Sequence, residues 1–245
     1  MATTERTKLK SLYGQWAPGT PLTSEDLAAL GISADLAVHY VRAGWLSRLA
    51  RGVYCRPGDP LQLYPCLVLL QRAVDGLHVG GKSALDWYGV RHYVSQEPVL
   101  QLYGWTAARM PDWFTERFPA EYHRKRLFDE TPAYPLHAGP FEKRGDAPRV
   151  SEPERALLEV FSEVGGRQPI QEARELAESA YNLRADVLRD LLMRCSSVKT
   201  VRLCLQFGRE LSLPWAAKLD PAQLPTGSAR AWVSHSADGR LVLKP

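Results

Sequence analysis

The sequence predicts an α+β protein with an N-terminal winged helix-turn-helix and a larger mixed α/β C-terminal domain. Near the N-terminus, two short helical patterns meet at a glycine, and a hairpin pattern follows directly. The rest of the chain mixes amphipathic helices with short strand-like segments. The Pro- and Gly-rich segment Arg56–Pro60 separates the two parts, so we predict domains over residues 1–58 and 59–245. A further sub-boundary is predicted near residues 131–150, which are also rich in Pro and Gly.

The composition is that of a folded protein of the cytoplasm. Apolar residues make up 45% of the 245-residue chain and charged residues 24%, both near the averages of globular proteins. The longest apolar run is Cys66–Leu70, whereas a membrane helix needs about 20 residues. Residues 1–10 hold several charges and no apolar segment, so we expect no export signal. The four cysteines form no CxxC pair and are expected to be reduced thiols.

Three helices are predicted in the N-terminal part. They run over residues 4–16, 24–30 and 34–43. Thr23, with Asp26 three residues later, matches a capping box and predicts the start of the second helix. Gly31 ends that helix, Ser33 is a good N-cap for the third helix, and Gly44 ends the third.

The third helix has two different faces. The face predicted to pack inward consists of Leu36, Ala37, Tyr40 and Val41. The face predicted to point outward consists of Ala34, Asp35, Val38, His39 and Arg42. The outward face mixes small, apolar and polar groups, as a base-reading helix needs: a valine can contact a thymine methyl, and histidine or arginine can contact bases or phosphates. The aspartate fits near DNA if it accepts from a cytosine amine or orients an arginine.

A basic hairpin is predicted after the third helix. The strand patterns Trp45–Leu49 and Gly52–Cys55 flank a tip from Arg48 to Arg51, which predicts a wing that contacts phosphates or a minor groove. The formal net charge is only +4, but residues 1–58 hold seven basic and four acidic side chains. Residues 36–58 contain no acid and four arginines, a candidate phosphate-facing surface: Arg42, Arg48, Arg51 and Arg56.

These patterns predict that the N-terminal part binds double-stranded DNA. The predicted DNA-binding residues are Ser33, Ala34, Asp35, Val38, His39, Arg42, Arg48 and Arg51. The alternative is a three-helix packing module with a solvated hairpin, and the arginines of the hairpin favour DNA.

Further helices and strands are predicted in the second part of the chain. Helices are predicted over residues 61–74, 84–88, 182–195 and 198–211, a strand over 98–104, and a hairpin over 231–243. Ser151 is expected to cap another helix, with acids at 152 and 154 in its first turn. We expect residues 99–103 to be buried in a sheet and residues 131–150 to be irregular. The basic run 123–126 predicts a solvated turn, with an acidic or phosphate partner as the alternative.

An aromatic cluster is predicted in the middle of the chain. It consists of Trp105, Trp113, Phe114 and Phe118. Aromatic side chains beside basic residues can stack on single-stranded nucleic acid, but the same pattern more often indicates core packing, which we favour here.

Residues Gly76–Ser83 match the spacing of a phosphate-binding loop, in which Lys82 would meet a phosphate and Ser83 a magnesium ion. The preceding residues have helical spacing and lack the β-branched run of a buried strand, so the context disfavours that function. We predict a close-packed turn at Gly80–Gly81 and a helix that begins at Ser83. Whether this loop binds any phosphate stays open.

The sequence predicts no enzyme site, no metal and no cofactor. The six histidines show neither HxH nor HxxxH spacing, and there is no CxxC pair, so the usual metal-ligand patterns are missing. There is no GxSxG nucleophile motif, and Cys195 lies on an apolar stripe, where thiols are normally inert.

Four segments resemble one protein family, and they occur in one order along almost the whole chain. They are residues 31–54, which include GWLSRLARGVY, residues 79–85 (VGGKSAL), residues 151–159 (SEPERALLE) and residues 195–203 (CSSVKTVRL). They resemble the AbiEi family, the antitoxin and transcriptional-repressor half of bacterial type IV toxin–antitoxin systems.

The resemblance implies a winged-helix protein that represses its own operon at an upstream inverted repeat. It also implies that the C-terminal domain counteracts a nucleotidyltransferase toxin without forming a stable complex. If that activity is carried over, Lys199, Arg202 and Arg230 are candidate residues of an antitoxin surface. The chain departs from the family pattern at Gly227–Arg230, which holds fewer lysines than expected.

Two other functions compete with this one. The first is a stand-alone winged-helix transcriptional regulator whose second domain senses a small ligand. The second is an enzyme that uses Gly76–Ser83 on nucleotides.

Overall fold

The structure is a computed structural model that describes residues 2–90, 99–130, 136–142, 147–228, 230–236 and 239–243. The chain divides into two compact units. The first unit comprises residues 1–73, 110–119 and 142–148, and the second comprises residues 74–109, 120–141 and 149–245. The predicted α+β class is confirmed. The predicted domain 1–58 lies within the first unit, and a domain limit at Gly58 stays a prediction.

The helices and strands are given in chain order. The α-helices are α1 (Ala2–Gln15), α2 (Ser24–Ala29), α3 (Ala34–Arg42), α4 (Leu63–Ala73), α5 (Gly81–Trp87), α6 (Asp112–Thr115), α7 (Pro153–Glu163), α8 (Ile170–Ser179), α9 (Ala185–Met193) and α10 (Val198–Glu210). The strands are β1 (Leu22–Thr23), β2 (Ser47–Ala50), β3 (Val53–Cys55), β4 (His78–Val79), β5 (Leu100–Gly104), β6 (Ala120–Arg124), β7 (Ala138–Pro140), β8 (Arg149–Ser151), β9 (Trp232–Ser236) and β10 (Gly239–Leu243).

The helix starts and ends in the first unit follow the predicted capping signals. The Asp26 N–H donates to Thr23 Oγ1 at 3.1 Å and the Thr23 N–H donates to Asp26 Oδ2 at 2.8 Å, so the capping box is confirmed. Ser33 Oγ accepts from the Leu36 N–H at 3.3 Å and caps α3. Gly44 follows the last turn of α3 with φ of 76°, a conformation that glycine adopts without strain.

The first unit contains a buried apolar cluster around its first three helices and a small sheet. Its buried cluster joins α1, α2, α3 and the sheet, and consists of Leu12, Trp16, Leu27, Ile32, Ala37, Tyr40, Leu46 and Tyr54. The sheet has the antiparallel order β1-β3-β2, with Leu22 and Arg48 both paired to Tyr54. Strand β1 has only two residues, too few for an alternating pattern, and the sequence did not predict it. The predicted helix 61–74 corresponds to α4, which belongs to the first unit.

The second unit contains a five-stranded mixed sheet and a helical core. The strand order is β6-β5-β4-β8-β7, in which β5 and β6 are parallel and β4 and β5 are antiparallel. Helices α7 and α10 pack together, with the rings of Phe161 and Phe207 5.6 Å apart. The predicted C-terminal hairpin is confirmed as β9 and β10, and Asp238 of its turn lies outside the described residues.

Several predictions for the second unit are wrong. The strand begins at Leu100, and Val99 is 50% exposed because it precedes the sheet; Pro98 lies outside the described residues. The described parts of 131–150 are not all irregular, because they contain β7 and most of β8. Residues 131–135 and 143–146 lie outside the described part of the chain.

The predicted helix caps of the second unit also change. Ser151 is the last residue of β8, and its hydroxyl donates to Glu159, so it does not cap α7. The N-cap of α7 is Glu152, whose side chain makes no capping bond. Helix α5 begins at Gly81, before the predicted start at Ser83, because the Gly80 carbonyl already accepts from the Ala84 N–H. The predicted helix 182–195 is shorter, and α8 was not predicted.

The four aromatic residues are divided between the two units. Phe114 is fully buried in the first unit and packs on Phe118 at 5.4 Å and on Trp113 at 6.0 Å, which confirms core packing there. Trp105 belongs to the second unit, where its ring lies beside Gly76 and the Arg126 guanidinium at 5.1 Å.

Candidate nucleic-acid interface

The outward face of α3 is exposed along its whole length. The structure leaves the predicted residues Ala34, Asp35, Val38, His39 and Arg42 exposed, while Ala37 and Tyr40 are buried and Leu36 and Val41 pack at the edge of the core. Val38, in the middle of the helix, is 47% exposed. The helix therefore presents an apolar side chain, an imidazole and a guanidinium together at its surface.

The hairpin after α3 exposes two arginines. Arg48 lies in β2 and its Nε donates to the Ala50 carbonyl at 3.2 Å, which folds its stem along the strand. Arg51 lies in the turn before Gly52, whose φ is 74°. Both side chains are exposed, and no ion pair between described residues includes either of them. The structure thus places the arginines of the hairpin directly after the last turn of α3 in the chain.

Arg56 does not belong to this surface. Its guanidinium lies 4.7 Å from the centre of the Tyr13 ring and 5.6 Å from that of Trp16, and its Nη2 donates to the Tyr13 carbonyl at 2.6 Å. The expectation of four phosphate-facing arginines is therefore wrong for Arg56, because two aromatic faces and a helix carbonyl already hold its charge.

Trp45 is a surface residue, although the sequence pattern places it in a strand. It lies between α3 and β2, and its side chain is 52% exposed. Its N–H donates to the Tyr40 carbonyl at 2.8 Å, and its own carbonyl accepts from the Tyr13 hydroxyl at 2.7 Å. Leu46, the next residue, is buried. Adjacent apolar residues cannot both face the core in an extended segment, and this neighbour could have predicted that Trp45 is exposed.

A carboxylate of the first unit is held away from the basic surface. Burial raises the pKa of Asp26, but hydrogen bonds from the Thr23 N–H and hydroxyl, together with Arg72, outweigh it and lower that pKa. The Arg72 Nη1 lies 3.0 Å from Asp26 Oδ1. The Asp26 carboxylate of the capping box is thus paired with Arg72 within the first unit.

The loop of the second unit that matched a phosphate-binding spacing is occupied by protein groups. The Gly80 N–H donates to the Gln101 carbonyl at 3.0 Å, the Gly81 N–H to Glu159 Oε2 at 3.0 Å, and the Lys82 N–H to Gln101 Oε1 at 2.8 Å. The Lys82 ammonium lies 2.9 Å from Glu172 Oε1. These N–H groups and this lysine are therefore engaged with carbonyl and carboxylate oxygens, and the predicted close-packed turn is confirmed.

Glu159 is the centre of a buried charge network. Its oxygens accept from His78 Nε2 at 2.8 Å, Arg155 Nε at 2.8 Å and the Ser151 hydroxyl at 2.9 Å. Burial raises the pKa of Glu159, but the charges and hydrogen bonds of His78 and Arg155 outweigh it and lower that pKa to about 2. The Arg155 guanidinium also contacts both oxygens of Glu130 at 3.1 Å.

The network brings basic side chains and carboxylates together inside the unit. His78 Nδ1 lies 2.6 Å from the Gly76 carbonyl and Nε2 lies 2.8 Å from Glu159 Oε1, so both ring nitrogens face oxygen atoms. The Arg155 guanidinium faces both Glu130 and Glu159. The SEPERALLE segment supplies three members of this closed structural network: Ser151, Arg155 and Glu159.

The basic run 123–126 is not a solvated turn. His123 is 3% exposed and stacks on the Tyr103 ring at 4.7 Å, while Lys125 pairs with Glu163. Burial raises the pKa of Glu163, but His123 and Lys125 outweigh it and lower that pKa to about 2. The first two residues of the run, His123 and Arg124, belong to β6, and one is buried while the other is exposed.

Two of the three residues predicted for an antitoxin surface point inward. Lys199 Nζ donates to the Ser162 carbonyl at 2.8 Å and the Val164 carbonyl at 2.7 Å at the C-terminal end of α7, and burial lowers its pKa. Arg202 is 3% exposed and donates to the carbonyls of Thr226, Ser228, Arg230 and Leu243. Backbone carbonyls that would otherwise lack a donor bind both side chains, and the part of Lys199 and Arg202 in an antitoxin surface stays a prediction. Arg230 is exposed.

The cysteines lie inside the fold, and the metal-ligating residue types are dispersed within the described residues. All four cysteines are buried and unpaired, and burial raises the pKa of the Cys195 thiol to about 11 and that of Cys66 to about 12. Within the described ranges, no group of three or more His, Cys, Asp or Glu residues could hold a metal ion. Among the helices of the described residues, none combines the length and apolar character needed to cross a bilayer.

The fold and this surface define a two-unit α+β protein whose first unit presents a helix and an arginine-bearing hairpin. The chain belongs to the AbiEi family of antitoxins and transcriptional regulators of type IV toxin–antitoxin systems. Residues 5–96 match the family described as "Transcriptional regulator, AbiEi antitoxin N-terminal domain", and residues 97–244 match "Transcriptional regulator, AbiEi antitoxin, Type IV TA system". The resemblance seen in the sequence is therefore confirmed.

A solved structure supports the fold. The crystal structure of the RV2827C protein from Mycobacterium tuberculosis is similar with a TM-score of 0.54 and 17% sequence identity, over 94% of this chain and 88% of that chain. At this identity the likeness concerns the fold alone. No curated protein matches the chain.

Proposed function

We propose that this protein is an antitoxin that also represses its own operon by binding an upstream inverted repeat through a winged helix. The observation that supports DNA binding best is the exposed face of α3, followed in the chain by the exposed Arg48 and Arg51. Family membership supports the regulatory role.

The elements of the first unit occur in the order of a winged helix. Helices α2 and α3 are joined by a tight turn at Gly31 and Ile32, and β2 and β3 form the hairpin that follows. In this arrangement α3 would enter the major groove while Arg48 and Arg51 would contact phosphates or an adjacent minor groove. Both arginines are exposed enough to do so without any change of the fold.

The exposed residues of α3 suit the reading of base edges. Val38 would contact a thymine methyl, and His39 and Arg42 would donate to bases or phosphates. Asp35 would accept from a cytosine amine or orient an arginine. Ser33 and Ala34 at the start of the helix are exposed and small, which lets the helix N-terminus approach a phosphate.

The C-terminal domain would counteract a nucleotidyltransferase toxin encoded beside the antitoxin, without a stable complex between the two proteins. Family membership supports this part of the proposal. Of the three residues of the predicted antitoxin surface, we favour Arg230 as a contact, because it is exposed while backbone carbonyls bind Lys199 and Arg202.

The DNA-binding proposal is tested with the full chain and a duplex from upstream of its own operon. Arg48→Ala and Arg51→Ala should weaken binding to all sequences. Each should also reduce the slope of log affinity against log salt by about 0.9 for every phosphate that the variant no longer neutralises. Arg189→Ala, which removes an exposed arginine of α9, is the matched control. Unchanged affinity in both hairpin variants would overturn the proposal.

The base-reading role makes a separate prediction. Substitution of His39 or Arg42 by alanine should change the preferred sequence and reduce the discrimination at a contacted base by about 1–3 kcal/mol. The measurement compares the operator with duplexes mutated at single positions. An equal loss of affinity on all duplexes would show that these residues contact only phosphates.

The antitoxin role is tested by co-expression with the adjacent open reading frame. Wild-type protein should restore growth, and the Arg48→Ala/Arg51→Ala variant should also restore it when both proteins are made from unrelated promoters. Growth arrest in the presence of the wild type would contradict the antitoxin role and favour a stand-alone regulator.

A further inference from the structure

We infer that Trp45 is an additional DNA-contacting residue, which packs its indole against the sugar–phosphate backbone at the junction of α3 and the hairpin. The inference rests on the proposed DNA-binding function and extends it to a residue that makes an apolar contact. It starts from where the first unit exposes apolar side chains.

Within the described residues of the first unit, the large apolar side chains that are strongly exposed are Val38 and Trp45. One lies on the outward face of α3 and the other lies three residues after Arg42, the last residue of that helix. The core cluster around α3 is otherwise buried. Both exposed side chains belong to the segment that also carries the predicted DNA-binding residues, from α3 to β2.

The backbone holds Trp45 in place from both sides. Its N–H donates to the Tyr40 carbonyl, its carbonyl accepts from the Tyr13 hydroxyl, and the following Leu46 is 2% exposed in the core. The indole therefore projects from an ordered junction, and little further backbone ordering is needed when it binds. A rigid aromatic group loses less entropy on binding than a flexible side chain does.

The neighbouring charges indicate which kind of partner the indole meets. Arg42 precedes Trp45 by three residues and Arg48 follows it by three, and both are exposed. Residues 36–58 contain no acid, so this region would repel a basic partner and attract a polyanion. An exposed indole with an exposed arginine three residues before it and another three residues after it in the chain suits the deoxyribose edge of a nucleic acid, where an apolar ring and an N–H donor can both be used.

An apolar contact has a signature that differs from that of an arginine. Trp45→Ala should lower the affinity for duplex DNA by about tenfold, equivalent to about 1.4 kcal/mol. It should leave the salt slope unchanged, because no counterion is released through an uncharged side chain. Trp45→Phe, which keeps an aromatic ring, should recover most of the affinity.

The experiment measures affinity and salt slope for the full chain and these variants on the operator and on an unrelated duplex. Tyr181→Ala removes an exposed aromatic residue of the second unit and serves as the matched control. Tryptophan fluorescence gives a second measurement. DNA should quench the fluorescence of the wild type more than that of Trp45→Phe. This measurement stays informative even if Trp45→Ala folds poorly.

The outcomes separate this inference from the proposed function. If Arg48→Ala weakens binding while Trp45→Ala binds within about twofold of the wild type and quenching is equal in Trp45→Phe, the inference is overturned and DNA binding stands. If the wild-type protein binds no duplex, the proposed function itself fails. A reduced salt slope in Trp45→Ala would also overturn an apolar contact.

Discussion

Three arginines of the first unit and two arginines of the second unit have opposite environments. In the first unit, Arg42, Arg48 and Arg51 are exposed, and no ion pair between described residues includes them. In the second unit, Arg155 is 1% exposed and Arg202 is 3% exposed, and each makes several hydrogen bonds inside the fold. The same residue type therefore serves a surface at the first three positions and an interior at the other two.

This difference separates binding from stability. An exposed guanidinium keeps its hydration, so its removal costs the fold little and can change only what the surface binds. A buried guanidinium has no such hydration, and its removal leaves carboxylates or carbonyls without a partner in a medium of low dielectric constant. Substitutions in the two units should therefore affect different measurements.

The largest expected effect is on Arg155. Arg155→Met keeps much of the side-chain volume but leaves Glu130 and Glu159 facing fewer cations, which should lower the free energy of unfolding by about 3–5 kcal/mol. Urea denaturation measures it, with Arg189→Met as the exposed control. Equal stability of the two variants would break the contrast between the units.

Acid should weaken the second unit through the same network. The pKa of Glu159 lies near 2 in the folded chain against an ordinary value of 4.5, so the unfolded chain binds more protons between these pH values. The carboxylate contribution is complete above pH 4.5 and is lost as the pH falls toward 2. The linked free energy is about 3 kcal/mol.

A pH series of denaturation curves tests this window. Glu159→Gln should be less stable near neutral pH, and its stability should fall less steeply in acid. Some fall should remain, because the pKa of Glu163 is also about 2 and its carboxylate still contributes to the pH dependence of stability. A variant whose stability falls as steeply as that of the wild type would show that Glu159 is not the titrating group.

Arg202 should have a smaller and more local effect. Arg202→Lys keeps the charge, but one ammonium cannot bond the four carbonyls that the planar guanidinium reaches, so we expect the free energy of unfolding to fall by about 2 kcal/mol. Hydrogen exchange should accelerate in β10, because one of those carbonyls belongs to Leu243. Arg209→Lys on the exposed face of the same helix is the control, and equal exchange in both variants would contradict a clamping role.

The first unit could be predicted better than the second because its signals are local. Thr23, Asp26 and Ser33 act on residues three positions away, so the caps and the exposed face of α3 could be predicted from spacing alone. Strand β1 and the packing of Arg56 depend on residues more than 30 positions away, and they were missed.

The inward charges of the second unit could not be predicted from periodicity. A helical pattern places Arg155 and Glu159 one turn apart, as in an exposed ion pair, but it does not show that His78, 81 residues away, faces the same carboxylate. The usual expectation that charged residues face solvent therefore failed at Lys199 and Arg202, where helix-end and loop carbonyls bind them.

The smallest expected change in stability is in the first unit, and it sharpens the contrast most. Arg48→Ala/Arg51→Ala removes two positive charges yet should change the free energy of unfolding by less than about 0.5 kcal/mol, because both side chains are exposed. Arg155→Met removes one charge and should lower the free energy of unfolding by several times more, although it leaves the basic surface intact. Both variants should be measured for denaturation and for duplex binding on the same preparations. Arg155→Met should lose more stability, and Arg48→Ala/Arg51→Ala should lose more affinity for DNA. If the hairpin variant unfolds as readily as Arg155→Met, its arginines stabilise the hairpin, and its weaker DNA binding would no longer identify a direct phosphate contact.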